Sequence, residues 1–360
     1  MGLGFSSIHW REAWKYGERA FRYCQLDLGH VLAALSYAAA LHGWKPRLSG
    51  MEFASLAHSL GMDRSADFDG VEGEEAEVIV ALEAAEATVP SDWQHWAGKP
   101  SLLDPRPLYQ WPVIEEVATA TRGRSPVSAS ASAYSPPASI DRGDIRAAHV
   151  ILKRRSAQAF DGVSTMPLEV LHHILHCLLP GGSPVWELWT AAARVHPVLL
   201  VHRVEGIAPG LYVMPRTARA EVSLRGAFRE TFDWQTVATE LPLFQLIAAR
   251  AGKTARTLSC HQDIAMQSAV TFMMVAEFAA PIAADSAAYR HLHWEAGMLG
   301  HIITLEAEAA GWRGTGIGCF FDDAVHEVLG LQDDQFQVLY HYAVGRALDD
   351  PRISTLPAYD

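Results

Sequence analysis

Among 360 residues there are only four cysteines, Cys24, Cys177, Cys260 and Cys319, and none forms a close-spaced pair. That excludes a disulfide scaffold or a zinc ribbon, and four free thiols in a reducing cytoplasm are expected. No run of 18 apolar residues occurs, so no membrane span is expected. No charged segment followed by an apolar one opens the chain, so no secretory leader is expected. Positive charge is scarce as well. Against 29 Lys and Arg stand 41 Asp and Glu, a formal net charge of −12, which argues against a nucleic-acid surface. With 49% hydrophobic and 19% charged residues, what remains is a globular chain long enough for about two domains.

What is present is a repeat. Residues 20–44 (AFRYCQLDLGHVLAALSYAAALHGW) recur as 288–312 (AYRHLHWEAGMLGHIITLEAEAAGW). The offset is constant at 268 residues, as from position 21 to position 289. It pairs Phe21 with Tyr289, Arg22 with Arg290, Gly29 with Gly297, Gly43 with Gly311 and Trp44 with Trp312. Both apolar stripes step three and four residues at a time, the spacing of one helix face. The match continues through FASLAHSLGMD (53–63) and FFDDAVHEVLGLQD (320–333). Residues 10–83 and 278–344 are therefore expected to share one element order. The first copy lacks a front half, and half a domain cannot bury a core alone. A full-length parent with about 100 more residues upstream is expected on this reading.

Three stretches divide the chain: a half-domain at 1–120, a Ser/Ala/Pro-rich linker at 121–143 and a complete domain at 144–360. Helices are expected at 10–44, 52–61, 146–156, 167–179, 240–251, 260–280 and 286–310, with a short one capped by Asp322. Strands are expected at 77–84, 197–204, within 206–214 and at 335–344. The mixture indicates α+β. Trp10, Trp14 and Trp44 are expected in a core or an interface.

Arg154, Arg155 and Ser156 put two guanidinium groups and a hydroxyl within one turn, a set suited to binding phosphate. Gly314-Thr315-Gly316-Ile317-Gly318-Cys319 alternates glycines that let backbone amides approach a flat ring or a phosphate. It is not a dinucleotide fingerprint, because Cys319 takes the last glycine position and a helix precedes it. Gly345-Arg346 closes the last strand with a third cation. His172 and His176 have metal-ligand spacing, but no HExxH accompanies them and no metal site is expected.

The order of these segments, RRS with Phe160, Glu295-Ala296-Gly297 on a long helix, GTGIGCFFD and a strand ending in Gly345-Arg346, resembles the FMN-dependent nitroreductase family over roughly residues 145–350. KYGERAFRY (15–23), with the tandem arrangement, is similar to the azoline (thiazoline/oxazoline) dehydrogenases of ribosomal peptide biosynthesis. The resemblance implies an α/β/α sandwich whose paired units hold flavin. It implies that Arg154, Arg155, Ser156 and Gln158 bind the FMN phosphate and ribityl chain. Gly316, Ile317, Gly318 and Cys319 would line the isoalloxazine, and Arg346 would return to the phosphate. Lys15 and Tyr16 match a Lys-Tyr pair that handles a proton as hydride leaves. There are departures. Gln158 stands where the family often has a cation, and Ala191-Ala192-Ala193 replaces a Ser/Gly-rich loop.

Two readings follow. One is a cytoplasmic FMN oxidoreductase acting on an azoline peptide or another small organic substrate, with NAD(P)H as a possible donor. The other is a degenerate, non-catalytic member of the fold that binds flavin weakly or not at all. Both carry self-association, and neither involves nucleic acid or a membrane.

Overall fold

The computed structural model describes residues 1–83, 95–102, 109–124, 145–237, 240–354 and 356. The first part of the chain runs β1 (Gly2–Ser7), α1 (Trp10–Tyr16), α2 (Ala20–Leu41), β2 (Lys45–Leu48), α3 (Phe53–Leu60), β3 (Glu75–Glu83) and α4 (Pro112–Ala120). Next come α5 (Ala147–Lys153), α6 (Leu168–Leu178), α7 (Val185–Leu188), β4 (Val195–Val201), β5 (Gly210–Val213), α8 (Ala218–Ala227), β6 (Gln235–Thr236) and β7 (Phe244–Ala248). The chain continues with α9 (Gly252–Leu258), α10 (Asp263–Gln267), β8 (Val270–Glu277), α11 (Ala279–Ala284), α12 (Ala288–Ala309), β9 (Arg313–Ile317), α13 (Asp322–Leu329) and β10 (Phe336–Gly345). The architecture is α+β.

Two compact units result. The first comprises Met1–Ala131, Pro184–Ala192 and Ala279–Met298, and the second Ser132–Ser183, Ala193–Phe278 and Leu299–Asp360. These units cut across the sequence division at 120 and 144. Most of the expected linker lies outside the described residues. Its first residues, 121–124, belong to the first unit, where Thr121 is buried and Arg122 pairs with Glu75 at 2.8 Å.

The first unit holds a three-stranded antiparallel sheet in the order β1-β3-β2. Val78, Ile79 and Val80 of β3 are buried, as a central strand requires. Against this sheet lies a buried charge group. Arg290 donates from Nη1 to Glu77 at 2.7 Å, from Nη2 to Glu75 at 2.7 Å and to the Ala118 carbonyl at 2.6 Å, and from Nε to Thr121 at 2.9 Å. The Gln25 amide donates to Glu77 at 2.8 Å and accepts from the Trp294 indole at 2.6 Å. Burial pushes the Glu77 carboxyl up, but His9 at 3.8 Å, the Arg290 charge and the Gln25 hydrogen bond outweigh it and hold Glu77 below the usual carboxylate range.

Within this unit the repeat meets itself. The rings of Phe21 and Tyr289, equivalent positions, stack 6.1 Å apart. A Cβ on Gly29 would stand 2.1 Å from the Trp294 carbonyl, and one on Gly297 would stand 2.1 Å from the Leu26 carbonyl. Leu26 and Trp294 are again equivalent, so α2 and the first half of α12 cross at matched glycines where no side chain fits.

The same offset carries the ends of α2 onto those of α12, and the start of β2 onto that of β9. Gly43 (φ 67°) and Gly311 (φ 74°) end both long helices in the left-handed region. In each span a helix, a long helix, a strand, a short helix and a strand follow in turn, and the two strands pair antiparallel. The expected shared element order is observed.

In the second unit seven strands pair antiparallel in the order β6-β7-β5-β4-β8-β10-β9. β4 is buried along its whole length, and its core partners include Phe160, Phe244, Met273, Ile317 and Phe336.

Several expected elements differ. The helix expected over 10–44 breaks at Gly17–Arg19, where Gly17 takes φ 59° and a short 3-10 turn intervenes. Residues 240–251 contain β7 rather than a helix, and 260–280 contain α10 and then β8. Both stretches are apolar runs flanked by turns, and such runs fit a buried strand as well as a helix. The helix expected over 146–156 ends at Lys153, and residues 314–317 of the glycine segment belong to β9. Phe321, not Asp322, is the N-cap of α13. Trp14 is 68% exposed and Trp44 38% exposed, so neither is core within its unit. Trp10–Leu41 is long and apolar enough by composition to cross a membrane, and half of its apolar window is buried by protein.

Arg290→Met leaves Glu75 and Glu77 buried without their shared cation. It is expected to lower unfolding free energy by about 3–5 kcal/mol, measured by urea denaturation at neutral pH. A loss under about 1 kcal/mol would show the group to be incidental.

Candidate functional site

Three separated segments of the second unit are drawn together by backbone hydrogen bonds. The Ala157 amide donates to the Gly314 carbonyl at 3.0 Å, and the Asp161 amide to the Arg346 carbonyl at 3.0 Å. The Leu348 amide donates to the Ala159 carbonyl at 3.0 Å. The stretch after α5 is thereby laid along β9 and the end of β10, and Phe160 is driven into the core. The arginine segment, the glycine segment and Gly345-Arg346 thus converge.

β9 is the edge strand of the sheet. Because the Gly314 carbonyl points away from β10 to Ala157, strand alternation directs the Gly316 amide and carbonyl the same way. Gly316 is exposed. The edge therefore offers a backbone donor and acceptor next to Ser156.

The glycines themselves have a packing reason. A Cβ on Gly314 would meet the Tyr342 ring at 2.6 Å, and one on Gly316 the Tyr340 hydroxyl at 1.9 Å. Tyrosines of β10 cross the bare strand beside them, the cross-strand device by which an aromatic covers an edge glycine. The Tyr342 hydroxyl is 2.6 Å from that of Thr304, and burial raises its pKa to about 12 against the lowering effects of that hydrogen bond and of Arg154. On the opposite face of the same strands, His341 is fully buried, 3.0 Å from the Ser259 hydroxyl and stacked on Phe320. Burial depresses its pKa to about 3, so it stays neutral.

Arg154 has no hydrogen bond or ion pair from its guanidinium among the described residues. Its charge is still felt nearby. It adds to the burial that lowers His301 to about 4, and it opposes the burial that raises Glu308. Arg155 turns back on the Leu152 and Arg154 carbonyls, and Ser156 and Gln158 are exposed. Arg346 donates to the Gly311 carbonyl at 2.6 Å and lies over the Trp312 ring, so it closes the α12 terminus rather than standing open.

Lys15 and Tyr16 end α1 in the first unit. Lys15 is exposed and its ammonium lies 5.1 Å from the Tyr16 ring, which meets Tyr23 edge-on. The desolvated setting of a proton-accepting lysine is not found at this position.

Two features were not expected from sequence. Cys260 and Cys319 form a disulfide with Cα atoms 5.8 Å apart, so the expectation of four free thiols is corrected; Cys24 and Cys177 are the two outside the disulfide. A 59-residue separation left no local signal for that pairing. Arg313 joins the site's charges through Asp349 at 2.7 Å and Glu308 at 3.7 Å. Its position next to Gly314 was the available signal.

A family model for the nitroreductases matches residues 151–346, more than half of the chain. The chain belongs to the nitroreductase family. No curated protein matches it. Among solved structures, a protein of Anabaena variabilis assigned to the nitroreductases is 20% identical with a TM-score of 0.69. That match covers 96% of this chain and 69% of the other, which places the two in one fold. A Ralstonia eutropha protein assigned likewise is 16% identical, covers 62% of this chain and 93% of its own, and has a TM-score of 0.42. An NADPH:FMN oxidoreductase of Vibrio harveyi, complexed with NAD+, is 15% identical, covers 59% and 74%, and has a TM-score of 0.35. The fold is accordingly the nitroreductase-like α+β fold.

The thiol inventory is directly countable. Denatured but unreduced protein should show two thiols in a chromogenic titration, and reduced protein four. Four thiols without reduction would remove the disulfide.

Proposed function

We propose that this chain is an FMN-dependent oxidoreductase acting on an azoline-containing peptide or another small organic molecule, with reduced nicotinamide as a possible electron donor. One observation carries the reading. An Arg154 guanidinium with no partner among the described residues and an exposed Ser156 sit, through the Ala157–Gly314 bond, beside the open backbone edge at Gly316.

The residues fit the cofactor. Arg154 and Ser156 would hold the phosphate, with Arg155 and Gln158 beside them. The edge of residues 316–319 would meet the ring's polar rim through backbone groups. Arg346 would reach the phosphate only by leaving Gly311, so its contribution is the weakest of the set. When bound, FMN supplies the two-electron chemistry at its N5. The protein binds and orients, and the Tyr340 ring lies over Gly316. Tyr16, half exposed against Tyr23, is assigned proton transfer, and Lys15 a charge beside it.

The chain is further read as a truncated half-domain followed by a complete one. Val31, Leu41 and Trp44, exposed along and after α2, support self-association. Cytoplasmic residence belongs to this same reading.

A second reading is a non-catalytic member with little flavin affinity. It is favoured by the Tyr340 hydroxyl above Gly316 and by the engagement of Arg346 with Gly311.

Equilibrium titration with FMN, followed by quenching of flavin fluorescence, separates the readings. Saturable binding is expected, weakened in Arg154→Ala by about 1.5–3 kcal/mol, the range for a charge-assisted hydrogen bond. No saturation would leave the second reading standing, and unchanged affinity in the variant would exclude Arg154. Tyr16→Phe and Lys15→Ala are expected to lower turnover at unchanged flavin content; loss of flavin with activity would make their role structural.

A further inference from the structure

We propose that His173, Cys177 and Glu306 of the second unit bind a divalent cation of the zinc class. α6 carries His173 and Cys177 four residues apart, so both side chains leave the same helix face. Both are buried, and Glu306 of α12 meets them from the facing helix. The sequence pattern had drawn attention to His172 and His176 instead; the fold selects the neighbouring histidine.

The geometry is that of a ligand set. His173 Nε2 lies 2.8 Å from Glu306 Oε2 and 3.5 Å from Cys177 Sγ, and all three donor atoms fall within 4.8 Å of one another. Around one tetrahedral zinc, with bonds of about 2.0 Å to nitrogen and oxygen and about 2.3 Å to sulfur, neighbouring donors stand roughly 3.3–3.6 Å apart. The nitrogen–sulfur pair is already there, and the nitrogen–oxygen pair needs to open by about half an ångström.

The competing reading is a nucleophilic relay, in which one imidazole nitrogen serves a thiol and the other a carboxylate. That is not the arrangement here. Thiol and carboxylate both converge on Nε2, and Nδ1 is buried with no hydrogen-bond partner. Both groups share the one Nε2 atom, and a cation at their common focus would be bound by all three donors. On binding, the Cys177 S–H bond breaks, the thiolate sulfur bonds the metal and the proton passes to solvent. The imidazole stays neutral with its proton on Nδ1. Three protein donors leave a fourth position for water. Nitrogen, sulfur and oxygen together favour zinc over magnesium or calcium, which take oxygen alone. The proposal is independent of the flavin reading.

Cobalt(II) titration of the chelator-treated full chain tests it. One equivalent should produce a thiolate-to-cobalt charge-transfer absorption, which zinc(II) then abolishes by displacement. The absorption should vanish in Cys177→Ser and persist in Cys260→Ser. Glu306→Gln keeps a hydrogen-bond partner for His173, and its cobalt affinity should fall at least tenfold. The proposal is overturned by absence of the absorption in the parent chain, by its survival in Cys177→Ser or by its loss in Cys260→Ser. If Cys177→Ser does not fold, undiminished affinity in Glu306→Gln overturns it equally.

Discussion

One guanidinium organises the first unit. Arg290 lies at the start of α12, and its partners Glu75 and Glu77 lie on the central strand of the small sheet. Two carboxylates buried side by side repel each other and lose hydration, and a cation with five donors in a fixed fork answers both at once. The remaining donor directions go to Thr121 and the Ala118 carbonyl, which ties α4 to the same point. Sequence positions 75, 118 and 290 are thus held together by a single side chain. The matched glycines Gly29 and Gly297 let α2 approach closely enough for Gln25 to join the group from the other side.

A different constraint shapes the second unit. Its sheet ends at β9, and an edge strand must be covered, twisted or left open. Here the Ala157–Gly314 bond covers one end, Tyr340 and Tyr342 lie across the glycines, and the backbone at Gly316 stays open. The feature that makes the edge accessible to a ligand is the same one that makes it bare. Arg154, Arg313 and Arg346 stand around it, partly balanced by Glu308 and Asp349, so the positive character is local and does not contradict the acidic whole.

Much of this was legible in the sequence. The 268-residue offset carries one 22-residue helix onto the other, although the bounds expected, 10–44 and 286–310, ran past both; a helix boundary is set by local periodicity and a terminal glycine, and both copies keep these. The order of RRS, GTGIG and Gly345-Arg346 pointed to one region of the fold, and a backbone bond does lay the arginine segment along β9. Residues 240–251 and 260–280 were misread for a reason of the same kind. A short apolar run carries no periodicity that distinguishes a buried strand from a helix, and only its neighbours in the sheet decide. The glycines of β9 suggested ligand approach, while the tyrosines that fill their space belong to another strand and were not visible from the run itself.

By itself the sequence determined what depends on neighbours within a few turns: the repeat, the long helices, the strand at β3 and the clustering of Arg154, Arg155 and Ser156. Tertiary structure alone decided which distant groups share a space. It joined Cys260 to Cys319, set Arg290 between two carboxylates more than 200 residues away, and chose His173 rather than His172 to face Cys177 and Glu306. The physical reason is common to all three. Pairing energies of thiols, charges and imidazoles depend on distance in space and on burial, and neither is a function of separation along the chain.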